Sequence, residues 1–171
     1  LDNVAGRVEE LSYQKGQWVR RAVDAPFPGT LSVGGLHDPH VENDPLANSY
    51  FLNYADFLTP DSLYLGQTDS DQRELLKSRP RFYDADGMRA EQRFATSKDG
   101  TKIPYFVVWP KGAKADGTNP TILYGYGGYQ VSELPRYSGE YGVAWHAKGG
   151  VLVALAEKFK LPVFTFVDTP G

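Results

Sequence analysis

The sequence predicts an α/β fold in two unequal parts, an all-β segment followed by the opening strands of a layer of sheet and helix. Short apolar runs separated by turn residues in residues 1–85 are typical of a β-propeller or a sandwich. Beyond residue 86, a hairpin signal precedes a strand, a helical run and another strand, and that succession favours an α/β layer.

Composition excludes several classes of protein. The 171 residues are 41% hydrophobic and 23% charged, with a net charge of −3, which is typical of a globular chain without general affinity for nucleic acid or anionic membranes. The sequence has no cysteine, which excludes disulfides and thiolate metal sites. No apolar run approaches the ~20 residues that span a bilayer, so we expect a soluble chain of unknown compartment. The start, Leu1-Asp2-Asn3-Val4, has neither Met nor a signal-peptide pattern and indicates a piece of a longer parent protein.

The all-β segment contains three predicted strands, at residues 17–23, 49–54 and 61–66. A polar stretch over residues 71–87 is interpreted as a connector whose start is a short helix. We therefore predict a domain boundary near residue 85.

The second part opens with a predicted hairpin, with strands at residues 88–96 and 102–109. Asp99-Gly100 lies between them, and Asp-Gly is a strong signal for a tight turn because glycine accepts positive φ. Period-2 alternation puts four apolar side chains of the second strand on one face: Ile103, Tyr105, Val107 and Trp109.

Three further elements complete the predicted layer. A strand at residues 120–125 ends in the glycine-rich turn Gly125-Tyr126-Gly127-Gly128, and a second strand covers residues 151–154. Residues 154–160 look helical and precede an apolar strand at residues 161–167.

The run from Leu123 to Tyr129 carries the most chemical information. Glycines at a strand end let a substrate approach the backbone, and a tyrosine there can donate its hydroxyl to an oxygen that gains charge in a transition state. On composition alone, a glycine-rich turn with core aromatics is the favoured interpretation of the run.

Two stretches give this run a family context. Residues 97–106 and 119–129, together with Asp56-Phe57-Leu58-Thr59-Pro60 upstream, resemble the prolyl oligopeptidases over about residues 1–153. The resemblance implies an α/β-hydrolase fold capped by a β-propeller. Residues 1–85 would then be a propeller-derived segment with its connector, and residues 86–153 the N-terminal part of the hydrolase domain.

The resemblance also implies roles for two tyrosines. Tyr126 would be the side-chain donor to the oxyanion, and Tyr129 would line the pocket for proline in a peptide substrate. No cofactor is implied. The family's serine, aspartate and histidine lie further downstream, and the sequence contains no Gly-x-Ser-x-Gly elbow. Ser138 follows Tyr137 in a predicted loop and His146 is a predicted surface or core residue, so we expect this chain to lack peptidase activity alone.

The end of the sequence departs from that family. Residues 155–171 resemble the α subunit of the acetyl-CoA carboxylase carboxyltransferase, so a chimera that switches near Val153 is the interpretation, with a carboxyltransferase-like segment over residues 154–171. The segment is too short to bring that activity. The closing Asp168-Thr169-Pro170-Gly171 also occurs in GTPases, but the sequence has no phosphate-binding P-loop.

Two other hypotheses remain open. His37 and His40, with carboxylates nearby, are weak candidates for a divalent metal site, against a polar loop between strands. A non-enzymatic structural or interaction module is the alternative function, and a carboxyltransferase fragment is a weaker one. In each case we expect self-association through exposed strand edges, because an incomplete sheet leaves backbone groups unpaired.

Overall fold

The structure, a computed structural model, describes residues 4, 6–24, 29–126 and 132–155. These residues are mostly β-sheet: ten strands in three sheets, one short α-helix and one turn of 3-10 helix. Tyr129 and all but the first two residues of the carboxyltransferase-like segment lie outside the described residues. No helix within the described ranges is long and apolar enough to span a membrane.

The first sheet is a hairpin of two antiparallel strands. Strand β1 (Val8–Gln14) pairs with β2 (Gln17–Val23) in a register that closes at Gln14 and Gln17. The two loop residues, Lys15 and Gly16, have φ values of 48° and 86°, the left-handed backbone that matches the twist of a tight hairpin.

The second sheet has four antiparallel strands in chain order, β3 (Thr30–Gly35), β4 (Ser49–Ala55), β5 (Ser62–Gln67) and β6 (Arg73–Ser78). The strands predicted at residues 17–23, 49–54 and 61–66 are confirmed as β2, β4 and β5, whereas β1 and β3 were not predicted. Strand β4 buries alternate side chains, at Tyr50, Leu52 and Tyr54, as period 2 requires.

Strand β6 corrects the prediction of a connector with a short helix. Residues 73–78 are extended and pair with β5, although Leu75 and Leu76 are 54% and 44% exposed. An edge strand has one bonded neighbour and tolerates charged residues, so its sequence lacks the apolar alternation of a buried strand.

The third sheet is mixed, in the order β7 (Arg89–Thr96), β8 (Lys102–Trp109), β10 (Val151–Leu155) and β9 (Thr121–Tyr124). The predicted hairpin is confirmed by the antiparallel pairing of β7 with β8, and Gly100 in its turn has φ 87°. Strand β10 runs antiparallel to β8 and parallel to β9. Both faces of β8 are buried: the predicted apolar face lies on one side, and Pro104, Phe106 and Val108 on the other.

The helix lies elsewhere than predicted. Ala154 and Leu155 end strand β10, so the helical prediction for residues 154–160 is wrong at its first two residues, and the others lie outside the described ranges. The described α-helix, α1 (Gly139–Ala144), connects β9 to β10 and begins at Ser138, whose Oγ accepts a hydrogen bond from the Tyr141 N–H. A cap of this kind starts a helix where the sequence has no apolar periodicity.

One apolar core joins residues on both sides of the predicted boundary near residue 85. Phe57, in the loop after β4, packs with Phe106 of β8 and Leu152 of β10. A hydrogen bond also crosses this boundary, from Thr30 Oγ1 to the Pro135 carbonyl at 2.6 Å. Phe57 itself is fixed by Tyr83, whose Oη donates to the Phe57 carbonyl at 2.7 Å.

Candidate functional site

The candidate site lies at the carboxyl end of β9. Parallel pairing of β9 with β10 brings the carboxyl ends of both strands to the same edge of the sheet, where open sheets of this kind bind ligands. Tyr126, two residues beyond the end of β9, has a side chain that is 45% exposed. A phenol in this position can donate a hydrogen bond to a ligand that approaches the strand end.

Tyr124 is the last residue of β9, and its contacts fix the strand end that precedes Tyr126. Its ring packs against the buried core, and its hydroxyl donates to Glu133 Oε1 at 3.5 Å. Burial, together with the negative charge of Glu133, raises the pKa of Tyr124, so this phenol stays protonated at neutral pH. The Tyr124–Glu133 bond therefore joins the chain before residues 127–131 to the chain after them. Tyr129 lies outside the described residues.

A cavity of about 20 Å³ lies beside this anchor and is lined in part by Glu133, Ser138 and His146. A carboxylate, a hydroxyl and an imidazole are the three groups of a hydrolase triad. Here, however, the hydrogen bonds of these side chains are made to other groups of the chain and not to one another. Ser138 lies in the loop before α1, as predicted, and caps the helix, and His146 bonds to a backbone carbonyl. The three side chains therefore have structural roles.

His146 is confirmed as a core histidine, with 3% of its surface exposed. Its Nδ1 lies 3.0 Å from the carbonyl oxygen of Gly150, and since that oxygen only accepts, Nδ1 carries the hydrogen. Burial lowers the pKa of His146, and the bond to Gly150 opposes this only in part.

Protonation of His146 makes stability depend on pH. Because the pKa is lower in the folded state, the unfolded chain binds the proton first as pH falls below the ordinary value of 6.5. We expect the free energy of unfolding to be constant above that pH and to fall below it, by at most about 1.4 kcal/mol per pH unit. Urea denaturation between pH 7.5 and 5.5 measures this slope.

The matched control is a histidine in an exposed loop. The variant H146N should lose the slope, whereas H40N, at an exposed position, should keep it. An equal slope in H146N and in the unmodified chain would contradict the assignment to His146.

The loop that contains His37 and His40 uses its carboxylates to fix turns. Asp44 accepts hydrogen bonds from the N–H groups of Asp38 and Leu46, both at 2.8 Å, and lies 3.3 Å from His37 Nδ1. Among the described residues, no group of three or more His, Asp or Glu side chains is arranged to hold a metal ion. This geometry is that of a polar loop between strands.

Sequence reasoning missed the residues that support the strand end. Glu133 and Arg136, which line the cavity with Tyr124, carry no motif, and their position follows only from the chain path between β9 and α1. The signal that did find the site was the glycine-rich run after β9.

Two curated relatives are similar over most of the chain. An uncharacterized peptidase of Sinorhizobium fredii is 43% identical over 150 residues, which are 88% of this chain and 20% of the relative. The prolyl endopeptidase of Elizabethkingia miricola is 32% identical over 144 residues, covering 72% of this chain and 20% of the relative. The relatives and structural neighbours of this chain are prolyl oligopeptidase family peptidases.

Solved structures from the same family are also similar to this chain over most of its length. A post-proline cleaving enzyme of Rickettsia typhi is 28% identical with a TM-score of 0.66, covering 91% of this chain and 22% of that one. Prolyl oligopeptidase B of Galerina marginata, solved with a 25mer macrocyclization substrate, is 27% identical with a TM-score of 0.63, covering 90% and 20%.

The similarity to this family is limited in extent. The chain spans about a fifth of the length of the curated relatives it matches. No family model matches the chain. The similarity to acetyl-CoA carboxylase that the sequence suggested falls on residues 155–171, of which all but Leu155 lie outside the described residues.

Proposed function

We propose that this chain is a segment of a prolyl oligopeptidase-type serine peptidase, in which the end of a β-propeller is followed by the start of an α/β-hydrolase domain. The observation that carries the proposal is the position of Gly125-Tyr126. These two residues directly follow β9, which runs parallel to β10, at the edge where open sheets of this kind bind ligands. The relatives support the same assignment.

The architecture agrees with this division of the chain. Four antiparallel strands in chain order, as in β3 to β6, are the repeating unit of a propeller blade. Strands β7 and β8 form a hairpin that continues into parallel strands joined through a helix, as expected at the start of a hydrolase sheet. The β1–β2 hairpin is then part of a second, incomplete blade.

In the proposed reaction, a serine from another part of the parent protein attacks the carbonyl carbon of a peptide bond that follows proline. The carbonyl oxygen gains negative charge in the tetrahedral intermediate, and the phenol of Tyr126 donates a hydrogen bond to that oxygen. Tyr129 lines the pocket that receives the proline ring. The bond between Tyr124 and Glu133 supports the end of β9, two residues before Tyr126.

The role of Tyr126 is tested by the variant Y126F in a longer form that carries the serine. Loss of one oxyanion donor is expected to lower kcat by about 10²–10³, with little change in KM, since the donor acts mainly in the transition state. Steady-state cleavage of a chromogenic proline peptide measures both constants. An unchanged kcat would exclude Tyr126 as the donor.

The 171-residue chain alone is expected to be inactive, because it contains no Gly-x-Ser-x-Gly elbow. Turnover of a chromogenic proline peptide should not exceed the buffer blank. Treatment with a fluorophosphonate, which labels activated serines, should give no adduct in the intact mass. Stoichiometric labelling would overturn the expectation.

Self-association through strand edges belongs to the same proposal. Among the described strands, β7 and β9 are the edges of the mixed sheet, and Leu123 of β9 is 69% exposed. Sedimentation velocity across a concentration series distinguishes a self-associated chain from a monomer. A monomer at every concentration would exclude it. We do not propose the carboxyltransferase alternative, since no described residue favours it.

A further inference from the structure

Three Asp-Gly pairs occur in the sequence, and all three lie in exposed turns and bends: Asp86-Gly87, Asp99-Gly100 and Asp116-Gly117. Aspartate before glycine is prone to rearrangement, because glycine has no side chain to hinder attack of its backbone nitrogen on the neighbouring carboxyl carbon. The three glycines share one backbone conformation, with φ values of 80°, 87° and 81°. Differences among the three pairs therefore come from the hydrogen bonds around them.

The Asp99-Gly100 pair is held at both of its reacting groups. Oδ1 of Asp99 accepts hydrogen bonds from the Ser97 hydroxyl and, at 3.0 Å, from the Thr101 N–H. These two bonds lower the pKa of Asp99 to about 2, so its carboxyl is ionised at neutral pH and is a poor target for a nucleophile. The Gly100 N–H donates to the Ser97 carbonyl oxygen at 3.0 Å, so the nitrogen that would attack is also engaged.

The Asp116-Gly117 pair is held at the carboxylate alone. Thr118 donates to Asp116 Oδ1 from its hydroxyl at 2.6 Å and from its N–H at 3.1 Å. Both bonds lower the pKa of Asp116. The Gly117 N–H has no hydrogen-bond partner among the described residues. One of the two reacting groups is therefore free.

At Asp86-Gly87 neither reacting group is held by a hydrogen bond within the part of the chain that the structure describes. The ion pair between Asp86 Oδ1 and Arg81 Nη1 is 4.0 Å long, and the two side chains are 82% and 69% exposed. The turn is closed by a different bond, in which the Met88 N–H donates to the Ala85 carbonyl oxygen at 3.0 Å. The Asp86 carboxyl and the Gly87 nitrogen are thus both open to water and to each other.

We propose that Asp86 is a site of spontaneous isomerisation to isoaspartate, and that in the folded chain it reacts faster than the other two Asp-Gly pairs. The Gly87 nitrogen attacks Cγ of the protonated Asp86 carboxyl. A C–N bond forms and a C–O bond breaks, the amide hydrogen and the hydroxyl leave as water, and a five-membered succinimide results. Water then opens the ring at either carbonyl. Breaking the bond from nitrogen to Cγ restores aspartate, and breaking the bond from nitrogen to the main-chain carbonyl carbon gives isoaspartate.

The site lies in the connection between the second and third sheets. Isoaspartate lengthens the main chain by one carbon atom, inside the turn that the bond between Met88 and Ala85 closes. The first pair of strands β7 and β8, Arg89 with Trp109, begins directly after this turn. We therefore expect the modified chain to lose the turn bond and to fray at the start of β7. This chemistry does not depend on the proposed peptidase function.

Storage of the purified 171-residue chain at pH 7 and 37 °C tests the proposal. Tryptic digestion puts the three Asp-Gly pairs in different peptides. Mass spectrometry detects the succinimide as the loss of one water, and a methyltransferase specific for isoaspartyl carboxylates labels the final product. Each hydrogen bond that must break before ring closure slows the reaction by about fivefold, so we expect Asp86 to react at least about tenfold faster than Asp99, with Asp116 between them.

Three controls separate the effect of the fold from that of the local sequence. Synthetic peptides of residues 83–90, 96–103 and 113–120 lack the folded turns and should react at similar rates. The variant T118V removes the hydroxyl bond at Asp116 and should accelerate the reaction there by about fivefold, with Asp86 unchanged. The variant D86E keeps the charge but would need a six-membered ring, so its peptide should carry no label.

Four results would overturn the proposal. One is a rate at Asp86 in the folded chain that does not exceed the rates at Asp99 and Asp116. Another is the same order and spread of rates in the synthetic peptides, because the local sequence would then set the rates. A third is an unchanged rate at Asp116 in T118V. The last is label that persists in the D86E peptide, which would place the product at Asp84.

Discussion

Replacing Phe106 with alanine is expected to lower the free energy of unfolding by about 3–5 kcal/mol. Phe106 lies in the middle of β8 with no exposed surface, and its ring lies against Phe57 with 5.4 Å between centroids. Alanine would remove most of that buried volume and leave a cavity that the strands on either side cannot close. Urea denaturation followed by circular dichroism measures the change.

The effect should lie in the upper part of that range, because Phe106 lies where two parts of the chain meet. Phe57 follows β4 of the second sheet, and Leu152 belongs to β10 of the third. The matched control is F94A: Phe94 is the same residue type on the neighbouring strand β7, but it is 47% exposed, so its loss should cost about 0.5 kcal/mol. Equal losses in F106A and F94A would contradict this view of the core.

The loss expected for F106A is also large relative to the total free energy of unfolding. A domain of this size is stabilised by about 5–15 kcal/mol, so F106A removes a substantial fraction of it. A broadened transition that separates the second sheet from the third would indicate that Phe106 couples them.

The strands that the sequence predicted share a local signal. The β7–β8 hairpin follows from Asp99-Gly100, since the turn fixes the register of both strands without any distant contact. Strands β4, β5 and β10 are apolar or aromatic and are bounded by turn residues. In these segments the local preference and the tertiary structure agree.

The elements that were missed depend on their neighbours. Strand β6 is charged and five of its six residues are good helix formers, but pairing with β5 makes it extended. Helix α1 contains two glycines, which disfavour a helix, and it forms because Ser138 caps it and the crossover between parallel strands needs a connection.

The residues of the candidate site likewise fall into those that a local pattern predicts and those whose position depends on the folded chain. Tyr126 could be predicted because a glycine-rich run after an apolar strand is a local pattern. The pairing of Tyr124 with Glu133 could not, because Glu133 belongs to no motif and its position depends on the chain path between β9 and α1. Side-chain pairs of this kind become visible only when the sheets are assembled.

The second large effect is expected at Gly142, where alanine should destabilise the chain by about 2–3 kcal/mol. In an exposed helix the same change is worth about 1 kcal/mol of stabilisation, because alanine has the higher helix propensity. Here a Cβ would lie 1.9 Å from Cδ1 and 2.0 Å from Cε1 of Tyr83, well inside van der Waals contact. Thermal and urea denaturation of G142A measure the sign as well as the size.

Tyr83 cannot move away easily, and this decides the sign. Its hydroxyl is bonded to the Phe57 carbonyl, and its ring stacks on Tyr137 with 5.2 Å between centroids and 6° between planes. In a Y83A background the clash is gone, so adding G142A should be neutral or stabilising. V143A, at a position on the same helix that is 53% exposed, controls for helix propensity. If G142A destabilises equally with and without Tyr83, the close approach of helix α1 to Tyr83 is not the cause.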